Sequence, residues 1–561
     1  MTTSAHEMIG RIVREIGTEV VFGLMGRANM RMLASMGDHG VRYIAARHET
    51  AAVAMADAYA RATGRLGVCS VTLGPGFTHC LTGLVEAARA GTPLLLLAGA
   101  APSGSEHSGQ YVDQGAVCAA LGVTWLNLDR ASDLREAAKR AVRQRRPIAV
   151  MVAPDLRPAV ADDVSASAGG PPEPTIVGPV GAVADVLADA ARPVVLAGRG
   201  ALNAGPQLVT LADQVGALLA TTLPAAGLFA GHPFDVGTIG VHGSPAAAEL
   251  LAEADVLMAF GTSISRFTTC GGHLFPGLKD IVRCDTTAAA RVYAPVTETI
   301  VGDAAAVAGA VGEALPGGKF GSVGYRVAGV RELIAAGRGP IEGDLGSPGV
   351  FVDPRKALEW LDQRLPEATA IVPEPSHASG YALEYLRPRF ARGTVSLFDF
   401  ESIGLGLAAA VGVAAAFPKH VTVAVAGDGG VLMSLGELET MVRCQLPVLV
   451  VVLNDAAYGT EVRELQLRGE PIAAATFPET DFAGTAQALG ASGTTVRDLA
   501  DLAAVEPWLN DPAGPFVVDC RVDRRYPAAW FTAAIGRPDG FLRVPRPGFD
   551  RPLAAENGGT P

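Results

Sequence analysis

The chain repeats itself once at very long range, and this repeat limits its fold more than any other feature. Adding 354 to residue numbers near the amino terminus places Gly74-Pro75-Gly76 on Asp428-Gly429-Gly430 and Pro93 on Pro447. Leu94 to Leu97 then fall on Val448 to Val451, and Glu49 falls on Ile403, each ahead of an Ala-rich helical pattern. The order is the same without a gap: helix, short connection, apolar strand, Gly-rich turn, helix, Pro, apolar strand. Solenoid units recur every 20–50 residues or so, which excludes that architecture here. The repeat points to two copies of one α/β domain. A plainer alternative is that any two α/β units share this grammar.

Short Val, Leu, Ile and Ala runs alternate with helical patterns along the whole chain. Examples are PLLLLAGA, RPVVLAG, ADVLMAFG, VTVAVAGDG and LPVLVVVLND. Runs apolar on both faces and separated by helices indicate parallel sheets covered on each side. The stretches Ala159 to Pro179 and Gly337 to Pro354, rich in Gly and Pro, read as linkers. The expected organisation is three doubly wound parallel-sheet α/β domains over residues 1–160, 175–335 and 350–540, the outer two homologous, with a tail at 541–561. A length of 561 residues fits three or four domains of roughly 150 residues.

Net charge is −12, which argues against a nucleic-acid binder, because phosphate neutralisation needs clustered Lys and Arg. No apolar run reaches the ~18 residues of a membrane span. The opening MTTSAHEMIG has no basic-then-apolar export signal. The seven Cys form no CxxC pair, as expected for reduced thiols in a cytoplasm. The class expected is a cytoplasmic α/β enzyme.

Val421 to Ala426 reads as a strand, Gly427-Asp428-Gly429-Gly430 as the turn at its carboxyl end, and Val431 to Arg443 as one helix. A Gly turn between strand and helix offers backbone N–H groups to an anion such as a phosphate. Asp428 would repel a bare phosphate unless a divalent cation lay between them. Asn454-Asp455 ends the next apolar strand, with 24 residues between it and Gly429. Adjacent parallel strands would bring both turns to one sheet edge. Asp428, Asp455 and the carbonyl of Ala457 then offer three oxygen ligands, a pattern suited to Mg²⁺ and a diphosphate. Asp428 and Asp455 as ordinary loop residues is the alternative.

GDG followed at this spacing by ND resembles the thiamine-diphosphate signature. The chain from about residue 5 to 535 is similar to the acetolactate synthase large-subunit group of thiamine-diphosphate enzymes. That resemblance implies a pyrimidine-binding first domain, a central domain and a diphosphate-binding third domain. It implies metal ligation by Asp428, Asp455 and Ala457, with Gly427, Gly429, Gly430, Tyr458, Gly459 and Thr460 near the diphosphate. Asp455 stands where many members have Asn. Arg47-His48-Glu49 resembles the activating site, which assigns Glu49 to the pyrimidine nitrogen N1′. By the same resemblance Ile403 supports the bent cofactor, the Glu401 carbonyl accepts its amino hydrogen, and Gly74, Gly76 and Gln110 lie close to it. From the residues alone, Ile403 is equally a core residue and Gln110 a surface one.

Substrate signals are weaker. Arg27, in FGLMGRAN, is either a carboxylate clamp or a solvated turn residue. His107 and His377 are acid/base candidates or structural side chains, and Trp530-Phe531 is a lid or core. The Asp and the His-His pair of simple decarboxylases are absent, which favours a carboligase over a non-oxidative 2-oxo-acid decarboxylase. A catalytically silent cofactor-binding regulatory subunit is the third reading. Segment Gly261 to Pro276 departs from FAD binders, so no flavin is expected. The expected partners are a 2-oxo acid, an aldehyde or ketone acceptor, and further copies of the chain as a homodimer or homotetramer.

Overall fold

The computed structural model describes residues 5–102, 104–154, 175–288, 292–318 and 324–534. Most of the expected linker Ala159 to Pro179, and the whole tail at 541–561, lie outside these residues. Three parallel sheets follow one another. The first comprises β1 (Val20–Gly23), β2 (Arg42–Ala45), β3 (Gly67–Val71), β4 (Leu94–Gly99), β5 (Thr124–Asn127) and β6 (Pro147–Val152), in the order β2-β1-β3-β4-β6-β5. The second comprises β7 (Pro193–Ala197), β8 (Leu218–Thr221), β9 (Asp235–Thr238), β10 (Val256–Phe260), β11 (Asp280–Asp285) and β12 (Glu298–Val301), ordered β12-β11-β10-β7-β8-β9. The third comprises β13 (Thr369–Pro373), β14 (Val421–Gly427), β15 (Val448–Asn454), β16 (Ser492–Val496) and β17 (Phe516–Arg521), ordered β13-β14-β15-β17-β16. Every residue of β4 and β15 is buried, which is why these strands read as unbroken apolar runs.

The outer sheets share one strand order: β1-β3-β4-β6-β5 in the first corresponds to β13-β14-β15-β17-β16 in the third, and β2 is an added edge. The repeat is therefore two copies of one fold. Their Ala-rich helices, Glu49–Thr63 and Gly406–Ala416, pack on each other and join both outer sheets in one apolar core. Small side chains let the backbones approach so closely that a Cβ at Gly412 would overlap the Met55 carbonyl. Gly412→Ala is thus expected to lower stability by ~1–3 kcal/mol, read as a lower denaturant midpoint. An unchanged midpoint would mean that the helices do not pack this tightly.

One expectation fails locally. The segment Val431 to Arg443 is not a single helix but two, Asp428–Met433 and Glu437–Arg443. The first domain has the same break, between Pro75–Thr78 and Leu81–Ala90. In the third domain the break is met by a residue distant in sequence. Arg47 packs at Gly436, its amide donates to Glu437 Oε1 (2.9 Å), and its guanidinium pairs with Glu439. A new helix starts there, with Glu437 and Glu439 in its first turn, where the dipole favours negative charge.

Candidate active site

In the third domain, parallel pairing sets Gly427 of β14 opposite Leu453 of β15, so the two turns share one sheet edge. They open into a cavity of about 570 Å³. Asp428, Gly429, Gly430, Asp455, Ala457, Tyr458, Gly459 and Thr460 line it, together with Glu401 and Ile403. Of the Asn454-Asp455 pair only Asp455 faces the cavity. The Asn454 side chain turns into the sheet, donating to Asp519 Oδ1 (2.9 Å) and the Thr480 carbonyl (3.1 Å). Ala456 takes a left-handed conformation (φ +53°), and the Tyr458 amide donates to the Ala475 carbonyl, which shapes the loop around Ala457.

Close packing explains the two glycines after Asp428. A Cβ on Gly429 would stand 2.5 Å from the Tyr458 ring, and one on Gly430 would overlap the buried Glu374 carboxyl. Burial and then the charge of Asp455 push the Asp428 carboxyl up to about 8, and burial pushes Asp455 up to about 6. Two carboxylates in such a corner are charged together only with a cation between them. Two carboxylates and a carbonyl form an oxygen-only donor set, which suits Mg²⁺. Two helices, His377–Tyr385 and Gly459–Leu467, begin at the cavity wall, and neither has a side-chain cap on its first amides. Such amides attract an anion. The residues present therefore fit a metal-bound diphosphate.

Ile403 follows Glu401, whose φ of +61° is left-handed, a conformation that costs a non-glycine residue about 1–3 kcal/mol. The surrounding structure imposes it. Gly404 and Gly406 amides donate to Glu374 Oε1 (2.8 and 3.4 Å). Ahead of the loop, Asp399 and Phe400 amides donate to the buried Glu86, and Arg61 bonds Asp57, Glu86, Asp399 and the Ser396 carbonyl. Arg199 of the central domain pairs with Asp399 as well. All three domains thus hold the loop that carries Ile403.

Burial pushes the Glu374 carboxyl from 4.5 up to about 7, against the downward pull of the amides it accepts. The folded chain therefore holds this proton more tightly than the unfolded chain. The group's stabilising contribution is full below pH 4.5 and is lost as pH rises from 4.5 through about 7. Glu374→Gln should consequently gain stability over the native chain across that window, by up to ~3 kcal/mol at pH 8. Paired melting curves at pH 5 and pH 8 check this, and an equal difference at both would contradict it.

His377 also lies at the cavity, but Nε2 already accepts the Ala528 amide (2.8 Å). Burial and then Arg463 push its pKa down to about 4. Its place is structural: it holds the helix Ala529–Ala534. Trp530 of that helix lines the cavity, donates to the His377 carbonyl (3.4 Å), and lies 5.9 Å from the His242 ring. Phe531 is buried beneath it. Of the Trp530-Phe531 pair, one residue covers the cavity and the other is core.

In the first domain, Glu49 meets Gly76 and Gln110 meets Gly74, apart from this cavity. Glu49 is the first residue of its helix and only 6% exposed, with Oε1 about 3.2 Å from where a Cβ on Gly76 would stand. The Gln110 backbone packs on Gly74, while its side chain is exposed, as are those of Arg27 and His107. Among the described residues, none of the first domain lines the cavity that holds Asp428. One chain thus carries two half-sites that do not meet.

Three sequence models of thiamine pyrophosphate enzymes match in order along the chain. The N-terminal TPP binding domain matches residues 3–120, the central domain 180–311 and the C-terminal TPP binding domain 377–520. The chain belongs to the thiamine pyrophosphate enzymes. Within that family it is acetolactate synthase-like. It is 26% identical over 540 residues to sulfoacetaldehyde acetyltransferase of Castellaniella defragrans, covering 88% of this chain and 89% of that protein. It is 27% identical over 558 residues to the acetolactate synthase large subunit of Parasynechococcus marenigrum, covering 93% and 88%. A protein of Pseudomonas aeruginosa named as a probable 2-ketoarginine decarboxylase is 28% identical over 523 residues, covering 89% and 91%. These relatives bear the names of different reactions. Among the described residues, no helix of this thiamine pyrophosphate enzyme is long and apolar enough to cross a membrane.

Sequence reasoning missed several residues of this enzyme. His242 reaches the cavity from the central domain, and burial pushes its pKa down to about 4. Nothing near it in sequence marks it. Ser376, shortly after the apolar strand Thr369–Pro373, was a readable helix start, since Ser is a favoured N-cap. His79, three residues past Gly76, contacts Glu49.

Proposed function

We propose that this enzyme is a thiamine-diphosphate- and Mg²⁺-dependent carboligase. It would decarboxylate a 2-oxo acid and transfer the acyl carbanion equivalent to a carbonyl acceptor. The observation that carries the reading is the convergence of Asp428, Asp455 and two uncapped helix starts on one cavity that also contains Ile403. Thiamine diphosphate, once bound, supplies a carbon nucleophile that also stores the electron pair left by CO2. Asp428, Asp455 and the Ala457 carbonyl would hold Mg²⁺. Backbone amides from Gly429, Gly430, Gly459 and Thr460 would hold the diphosphate, with Tyr458 beside them. Ile403 would support the bend of the cofactor, and the Glu401 carbonyl would accept its amino hydrogen.

Glu49 would hold the proton at the pyrimidine nitrogen, with Gly74, Gly76 and Gln110 beside that ring. Because the half-sites lie apart in one chain, a second copy would supply Glu49 to each cavity, making at least a homodimer. Met25, Met30 and Tyr111 near one half-site, and Phe400, Leu432 and Met433 near the other, are exposed apolar residues consistent with such a contact. Arg27 would clamp a substrate carboxylate, and His107 would serve as an acid/base group.

Ligation is favoured over simple decarboxylation by the state of the two histidines lining the cavity. Burial and a nearby Arg push both His242 and His377 down to about 4, which makes each a poor proton donor to a carbanion near pH 7. A carbonyl acceptor can then compete. The test is incubation with thiamine diphosphate, Mg²⁺ and a panel of 2-oxo acids, with and without aldehyde or ketone acceptors. CO2 together with a product carrying a new carbon–carbon bond is expected. Free aldehyde alone would replace the carboligase by a decarboxylase, and no turnover would overturn both.

A further inference from the structure

The two carboxylate oxygens of Glu49 have different surroundings. Oε1 faces the Gly74-Pro75-Gly76 turn, whereas Oε2 lies 3.2 Å from Nδ1 of His79. The His79 backbone is fixed from two sides. Its amide donates to the Pro75 carbonyl (2.9 Å), and its carbonyl accepts the hydroxyl of Thr50, the residue after Glu49. The ring stacks on His48, with centroids 5.0 Å apart and planes 24° from parallel. His48 Nδ1 accepts the Thr50 amide (3.2 Å), which turns that nitrogen away from His79 and toward its own helix. A carboxylate only accepts, so the hydrogen between His79 and Glu49 belongs to Nδ1 of His79.

We propose that His79 is a positioning residue for cofactor activation: its Nδ1–H holds Oε2 of Glu49, leaving Oε1 alone to face the pyrimidine nitrogen of thiamine diphosphate. This rests on the role given to Glu49 above. A carboxylate bonded through one oxygen keeps its plane, so its free oxygen meets the cofactor in a single orientation. The ligand atoms of His48, Glu49 and His79 lie within 4.8 Å of one another, which makes the arrangement compact enough for a single altered side chain to disturb it.

The experiment compares the native chain, His79→Leu and His79→Asn, each saturated with thiamine diphosphate and Mg²⁺, by the rate of deuterium exchange at cofactor C2. The His79 side chain is 55% exposed, so the variants should fold, and melting curves verify this, with His79→Ala as a substitute for Leu. His79→Leu is expected to slow exchange at least about tenfold, equivalent to ~1.4 kcal/mol. Its cofactor dissociation constant should change less than about threefold, because the diphosphate end is untouched. His79→Asn, whose amide nitrogen can stand in for Nδ1, should recover most of the rate. Equal rates in the Leu variant and the native chain would overturn the proposal, as would equal losses with Leu and Asn. No exchange in the native chain would instead overturn the assignment of Glu49, and His79's role with it.

Discussion

Glu49→Gln should abolish activation of thiamine diphosphate while leaving the protein folded. The amide has the shape of the carboxyl, and His79 can still donate to its oxygen. The cost to the helix is only the lost dipole interaction of about 0.3–1 kcal/mol. What the variant loses is the group that takes a share of the pyrimidine proton. A positioned acid or base contributes typically about 10²–10⁴-fold, so exchange at cofactor C2 and turnover of any 2-oxo acid should fall by that order. Melting and cofactor affinity should stay near native. Turnover within a few-fold of native would remove Glu49 from the mechanism.

The second large effect is expected at Asp428. Asp428→Asn removes one of two carboxylates that share a dry corner beside Gly429, so the protein without metal should melt no lower than native. Outer residues of metal sites cost about 10–100-fold in affinity when lost, so a direct ligand should cost at least ~100-fold in Mg²⁺-dependent binding of thiamine diphosphate. Titration monitored by intrinsic fluorescence measures this, for Trp530 stands in the cavity wall. Unchanged affinity with Mg²⁺ present would take Asp428 out of the metal site. The two variants therefore separate activation from binding.

How far the sequence revealed this site depends on the range of the interactions involved. The turn at Asp428 and the loop at Asp455 were readable because two adjacent parallel strands of known spacing leave no choice of edge. The three sheets were readable because buried strands need uninterrupted apolar runs. The helix break at Ser434 to Gly436 was not, since the side chain that packs there, Arg47, is far away in the chain. His377 looked like an acid/base candidate because its sequence neighbours do not show that the Ala528 amide occupies Nε2. Glu374 and Arg61 carried no signal, because a buried carboxyl or guanidinium acquires meaning only from the backbone it holds. Glu49 itself stood out through a family resemblance, and His79 only through contact.

The central claim is that each active site takes Glu49 from one copy and Asp428 from another. Mixing unfolded Glu49→Gln and Asp428→Asn chains, each inactive alone, and refolding them together tests this most directly. In a mixed dimer one site carries both substitutions and the other carries neither. Random pairing should then restore about a quarter of native turnover. No recovery, with mixed dimers verified by mass, would contradict the shared site.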